Sequence, residues 1–439
     1  VSNIESLPED LAERLRLQAD AFGIPGLAVV LVSAGRRAIW VHGEDAPGSG
    51  RPVTAQTWFS VASVGKQATA VAVLDLAQRG LIDLAAPIGR YLTDVPLSWS
   101  DRSVLSLLRH TSGLPEYLSH TEADDVPERR DEFMRAYAAL QPAWNEGEAW
   151  MYSNTNYILL GFLIAQLSGA SYGVALHRFF ERVGCTGVAV SSPTWARAAN
   201  ATGAGETALD QASLLRQVIG DGDVSFTADG AAAWLGLMLG DTALDAQHRD
   251  VMYAAATLNT GRPSPYGCAW FVDRLGHMPI CHHAGHYDGW TAMAYVAPAM
   301  GCAAMVMCNL APGNTRAVRY LAQMALEGFA PGSTPLSLDL QPDDAPDLTA
   351  RARAQLLRKG VLDPSFFAEE LTRVAEGGGA ARNVINLWSG QEPQVFGLVE
   401  SHGYPTHLLR RYRVSYPERV EHLLVGITPT ELIYWAWPL

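Results

Sequence analysis

Lysine is almost missing from this chain. Of its 32 basic residues only Lys66 and Lys359 are lysine, and all the others are arginine. Basic charge is short as well: 45 acidic residues leave a net charge of -13, and the arginines are scattered. No basic stripe exists to displace phosphate counterions, which argues against a nucleic-acid partner. The one basic cluster, "LLRRYR" near the C-terminus, reads as one face of a strand. Apolar runs are short too, and none approaches the roughly 18 residues that a membrane span needs. The five cysteines (Cys185, Cys268, Cys281, Cys302, Cys308) lack zinc or redox spacing, and their odd number does not suggest a disulfide framework. The opening "VSNIESLPEDLAERL" has no basic-then-apolar signal layout. A cytoplasmic home is the expectation, although a start at Val1 is compatible with a removed leader.

What is present suits a folded chain with a large core: 48% of residues are apolar and 18% charged. At 439 residues, two or three units are expected. "PEDLAERLRLQADAFG" has helical apolar spacing, and "PGLAVVLVSAGRRAIWVHG" reads as two strands around a turn at "SAGR". A helix is expected from about Ser63 through "KQATAVAVLDLAQRG", and helical patterns then dominate to about residue 260, "NYILLGFLIAQLSG" being the clearest. Strand alternation returns at "YGCAWFVDRLG", "GWTAMAYVAP" and "CAAMVMCNL", before the helix "TRAVRYLAQMALEGF". Strands at both ends around a helical middle predict an α/β sheet domain with an all-α insertion. The Pro- and Asp-rich stretch 331–347 reads as a linker, and beyond it a helix over 364–379 and three or four strands predict a small α+β domain. The expected division is 1–335, a linker at 336–347, and 348–439.

The rare Lys66 stands three residues after Ser63 at the start of a helical pattern, so the two side chains share one face. Arginine never gives up its proton in a protein, whereas a desolvated lysine can. In a chain that nearly always chooses arginine, the lysine at position 66 raises proton transfer as a candidate role beside that of a plain structural cation, and S-x-x-K alone does not decide between them. A helix N-terminus also offers free N–H groups and a positive dipole end to an oxyanion.

Three further stretches extend this pattern: "LLRHTSGLPEY" (107–117), "MYSNTNYILLG" with Tyr152, Ser153 and Asn154, and "HHAGHYDGWTAMAYVAP" with His283, Ala284 and Gly285. In order and spacing the set resembles the serine β-lactamase and penicillin-binding-protein superfamily. It is most similar to the class C-like branch, peptidase family S12, with its D-aminopeptidases, D-amino-acid amidases and family VIII esterases. The resemblance covers residues 10 to 330 or so. It implies a β-lactamase-like antiparallel sheet flanked by helices, with Ser63 as the acylated nucleophile and Lys66 as its proton-accepting neighbour. It further implies Tyr152 as partner base and Asn154 as the residue holding Lys66 and the substrate amide. The backbone N–H groups of Ser63 and His286 would form the oxyanion hole.

One position departs from the class C pattern. Those enzymes carry K-T-G where this chain has His283-Ala284-Gly285. An imidazole of ordinary pKa, near 6.5, is mostly neutral at pH 7 and is a weaker anchor for a substrate carboxylate than lysine. D-aminopeptidase-like and penicillin-binding-protein-type thioesterase branches resemble this chain in carrying His there. The expected substrates are amides or esters of amino acids, D-configured above all, or short peptides. A thioesterase releasing and cyclising nonribosomal peptides from a carrier protein, a carboxylesterase, and a non-catalytic sensor that kept the fold are the alternatives.

Gly285, Tyr287 and Trp290 flank the last motif and are the candidate substrate-binding residues, although core packing accounts equally well for either aromatic. His282, His283 and His286 lie on a strand pattern without a carboxylate cluster, so no metal is expected, and no cofactor motif is present. His110 reads as structural, fixing a turn before Pro115.

Overall fold

A computed structural model describes residues 4–120, 127, 129–190, 219–240, 243–275, 278–287, 289–310, 315–357, 391–417, 419–429 and 433–438. In chain order the strands are β1 (Ile4–Glu5), β2 (Gly26–Ser33), β3 (Arg36–Gly43), β4 (Phe59–Ser60), β5 (Val188–Val190), β6 (Val224–Phe226) and β7 (Phe271–Leu275). They continue as β8 (Met278–Tyr287), β9 (Trp290–Ala297), β10 (Cys302–Cys308), β11 (Val395–Tyr404), β12 (His407–Ser415), β13 (Val420–Ile427) and β14 (Ile433–Pro438). Four helices position the site: α1 (Glu9–Ala21), α2 (Lys66–Gln78), α3 (Asn154–Ser168) and α4 (Thr315–Phe329).

Seven strands make one sheet in the order β1-β3-β2-β10-β9-β8-β7, antiparallel throughout except for β1 against β3. Strand β2, "GLAVVLVS", shows no polar alternation because both of its faces are covered. Leu27, Val29 and Leu31 pack with α1 and α4, while Ala28, Val30 and Val32 point into the helical middle that contains α2 and α3. The hairpin at "SAGR" turns through Ala34 and Gly35, both at positive φ, the two-residue connection that matches strand twist.

Two elements differ from the sequence expectation. The helix expected at Ser63 opens as a 3-10 turn over Ala62–Gly65, and α2 begins at Lys66. The strand expected over "YGCAWFVDRLG" is shorter. Gly267 N–H donates to the Trp270 carbonyl and Ala269 adopts φ 61°, so a tight turn delays β7 to Phe271. The helix expected over 364–379 lies outside the described residues.

Strands β11 to β14 form a separate four-stranded sheet. The "RRYR" run lies on β12, where Arg410 and Arg411 are fully buried and paired with acids. Arg411 forks onto Asp273 of β7, Nη1 to Oδ2 at 3.0 Å and Nη2 to Oδ1 at 2.6 Å, and its Nε donates to Glu400 at 2.8 Å. Burial opposes its charge, yet the two carboxylates hold its pKa above the usual arginine value. This bidentate pair ties the C-terminal sheet to the edge strand of the main one. Arg411→Ala should cost about 3–5 kcal/mol, because Asp273 would be left buried and unpaired; urea unfolding at neutral pH measures it.

Candidate active site

The site grows from the turn that carries Ser63. Its predecessor Ala62 holds φ 46°, a left-handed conformation rare for a residue with a Cβ, and such strain concentrates at functional sites. Strand β8 comes against this turn at Gly285. A Cβ at that position would meet the Val61 carbonyl oxygen at 2.0 Å and the Ser63 amide nitrogen at 3.1 Å. Only glycine lets β8 lie alongside the Ser63 amide, and His286 follows on the same strand, paired with Thr291 of β9.

Lys66 is fully buried at the start of α2, with Nζ 3.2 Å from Ser63 Oγ. It also donates to the Asp221 main-chain carbonyl, and it stands over the rings of Tyr152 and Tyr157 at 5.1 and 5.7 Å from their centroids. The Asp221 carbonyl is brought there by close packing. A Cβ at Gly161 of α3 would strike the Ile219 carbonyl oxygen at 2.2 Å, so the glycine lets that segment lie against the helix. Thr69 Oγ1 then donates to the Gly220 carbonyl at 2.6 Å.

Tyr152 lies in an extended segment just ahead of α3. Its hydroxyl is buried and makes no hydrogen bond among the described residues. Burial pushes its pKa up, and nearby Lys66 and Ser63 pull it down without cancelling the effect. Glu116 caps α3 from outside: its carboxylate accepts the backbone N–H groups of Asn154 and Leu118. Burial raises its pKa to about 7 despite these donors. The Asn154 side chain makes no hydrogen bond to Lys66 among the described residues, so the grip on Lys66 expected from Asn154 comes from the Asp221 carbonyl instead.

His283 is buried on the site side of β8. Its Nδ1–H donates to the Ala284 carbonyl at 2.7 Å, and Nε2 accepts from the Tyr266 hydroxyl at 2.8 Å. Burial, aided by the Lys66 charge, lowers its pKa to about 3, far below the ordinary value assumed from sequence. His283 is a neutral, fixed imidazole. The neighbouring histidines part from it: His282 is buried on the opposite face, stacked near Tyr295, while the His286 side chain is exposed. Trp290 is buried edge-on against Phe59, ring centroids 5.7 Å apart, in the core beneath the nucleophile turn. That place corrects the expectation of a subsite wall at Trp290. Tyr287 ends β8, and its side chain lies outside the described set.

Sequence reasoning missed Asp221, Glu116 and Tyr266. The turn signal "GDGD" around Asp221 marked a bend, but nothing in it marked a partner for Lys66.

Buried histidines make the fold acid-sensitive. Burial pushes His110, His282 and His422 well below the usual pKa, as it does His283. Below pH 6.5 the unfolded chain takes up protons on these rings that the folded chain refuses, so stability falls with pH. Each ring whose charging the fold resists lowers stability as the pH falls below 6.5, by at most about 1.4 kcal/mol per pH unit. Glu116, protonated in the fold up to about pH 7, opposes them between about pH 4.5 and 7. Four rings outweigh one carboxyl. The urea midpoint should drop steeply between pH 6.5 and 4.5.

An antiparallel sheet between two helical layers, with a serine and a buried lysine at the head of a helix under a tyrosine, defines the β-lactamase-type serine hydrolase fold. Residues 11–328, well over half of the chain, match the family model described as Beta-lactamase, and the chain belongs to that family. It is 32% identical over 161 residues to a beta-lactamase of Escherichia coli (strain K12), spanning 36% of this chain and 41% of that one. The chain spans less than half the length of the curated relatives it matches. Among solved structures it is similar to D-amino acid amidase from Ochrobactrum anthropi SV3, with TM-score 0.61 and 22% identity over 73% of this chain and 99% of that chain. It is also similar to the octameric penicillin-binding protein homologue from Pyrococcus abyssi, with TM-score 0.61 and 16% identity over 97% of this chain and 94% of that chain. At these identities the structures speak for the fold. No single helix among the described residues is long and apolar enough to cross a membrane.

Proposed function

We propose that this chain is an acyl-transferring serine hydrolase acting on neutral amides or esters of amino acids or short peptides, D-configured ones above all. The observation that carries this reading is the 3.2 Å contact between Lys66 Nζ and Ser63 Oγ, held under Tyr152 by the Asp221 carbonyl. In the proposed reaction Ser63 Oγ attacks the carbonyl carbon while Lys66 takes its proton. The N–H groups of Ser63 and His286 receive the oxyanion; Tyr152, the partner base, shares the serine proton with Lys66 and relays it to the leaving amine or alkoxide, so that both groups end as they began. Water then attacks the acyl-Ser63 ester and frees the acid.

The surroundings support an amino-acid substrate over a carboxylate-bearing β-lactam. His283, where a lysine would anchor a carboxylate, is neutral and has both ring nitrogens engaged. The Asp221 carboxylate lies within electrostatic range of Tyr152 and Glu116, a setting that supports a substrate ammonium. Matched substrates, one neutral at the position of the β-lactam carboxylate and one carrying it, test this at pH 8. The neutral member should have the higher kcat/KM by at least tenfold, the scale of one charge-assisted hydrogen bond. Preference for the carboxylate member would overturn the reading.

We further propose that residues 348–439 act as an accessory unit joined through 336–347. No motif of the site lies beyond residue 335, and the Arg411–Asp273 pair supports a bracing role.

A further inference from the structure

The "RHTSGLP" motif has no place in the reaction above, yet its histidine is built around the proposed base. We propose that His110 is a positioning residue for Tyr152, holding the chain on both sides of it through one backbone and one ring acceptor. The His110 carbonyl accepts the N–H of Met151 at 3.0 Å, and its ring Nδ1 accepts the N–H of Ser153 at 3.3 Å. The residues before and after Tyr152 are therefore tied to the same side chain and peptide. Tyr152 has no hydrogen bond of its own among the described residues. Among the described residues it is placed by this backbone tie, by its neighbours Lys66 and Ser63, and by ring contacts, the tightest of which is His110 itself, with centroids 4.4 Å apart.

The ring state is fixed by its partners. The Ser153 amide can only donate, so Nδ1 must be the acceptor and the proton sits on Nε2. Asn156 agrees: its Oδ1 accepts from Ser112 Oγ at 2.7 Å, which turns its amide nitrogen toward His110 Nδ1 at 3.0 Å. Nε2 faces no hydrogen-bond acceptor among the described residues, and the rings of Tyr152, Tyr157 and Tyr266 surround the imidazole. The groups that bear on its charge are Lys66 and His283, both of which oppose protonation, as does burial. A protonated His110 would press two donors against Nδ1 and lose both bonds. The backbone is also set for this task. His110 adopts φ 58°, which turns the chain so that carbonyl and ring can reach Met151 and Ser153 together. Left-handed backbone at a histidine is uncommon and is kept only where the surroundings impose it. From its turn ahead of Pro115, His110 thus also reaches the Tyr152 segment.

The proposal rests on the reading of Tyr152 as a base, so Tyr152→Phe is included as a reference. Asparagine and glycine both accept φ near 58°, but only asparagine offers an acceptor at the place of Nδ1. The measurements are the acylation rate with p-nitrophenyl acetate per titrated active site, its pH profile, KM and the urea midpoint. His110→Gly should lose roughly 10²-fold in rate, the scale of a misplaced catalytic group, with KM little changed and the basic limb of the pH profile displaced. His110→Asn should recover most of that rate and restore the limb. Equal rates and identical pH profiles in the two variants would overturn the proposal, whatever their stabilities, because a merely structural residue moves only the urea midpoint. If His110→Gly does not fold, His110→Asn decides alone: a folded variant as slow as Tyr152→Phe overturns it. Full activity in Tyr152→Phe would instead remove the base reading, an outcome distinct from any difference between the His110 variants.

Discussion

Ser63→Ala should lower turnover by on the order of 10⁴-fold or more, the scale seen when a covalent nucleophile is deleted from a preorganised site. The fold should survive, because the hydroxyl's hydrogen bond is to Lys66 and the turn is set by backbone packing against β8 at Gly285. Substrate binding should survive for the same reason. A variant that retained more than a few per cent of wild-type kcat/KM on the preferred substrate would show that Ser63 is not acylated. The urea midpoint should be measured beside the rate, so that lost activity is not mistaken for lost protein.

Lys66→Arg is the second large effect, on the order of 10²-fold or more in acylation, the usual scale for general acid–base catalysis. Arginine keeps the positive charge but does not give up a proton. A Lys66 that merely neutralised the oxyanion would tolerate the change. Space is the confound, since Lys66 is fully buried between Ser63, Asp221 and the rings of Tyr152 and Tyr157. Lys66→Ala run beside it separates the two: proton transfer predicts a comparable loss in both variants. Near-normal acylation by Lys66→Arg would end the proton-transfer role. Pre-steady-state release of p-nitrophenol measures the step directly.

Local geometry was the readable part of this site. Ser63 and Lys66 meet because three residues at a helix start share a face, and the scarcity of lysine made the position stand out. Strands β2, β3, β9 and β10 and helices α1, α3 and α4 announced themselves through periodicity, as did the strands of the C-terminal sheet. The partners of Lys66 and His283 did not. The Asp221 group that holds Lys66 is a main-chain carbonyl 155 residues away, and any residue type supplies one. Tyr266 reaches His283 through the tight turn at Ala269, where a strand had been expected. Composition cannot separate an aromatic wall from an aromatic core, which is why Trp290 pointed to a subsite and lies against Phe59 instead. The pKa of His283 was beyond the sequence for a similar reason, since burial sets it, and the rings of Tyr152, Tyr266 and Phe271 that surround it come from distant parts of the chain.

The central claim is a covalent acyl group on Ser63. Mixing the protein with an excess of p-nitrophenyl acetate, quenching in acid within the burst and measuring intact and peptide masses tests it most directly. One acetyl group should appear per chain, on the peptide that contains Ser63, and Ser63→Ala should carry none. An adduct on another residue with Ser63 unmodified, or steady turnover without any adduct after rapid quenching, would contradict it.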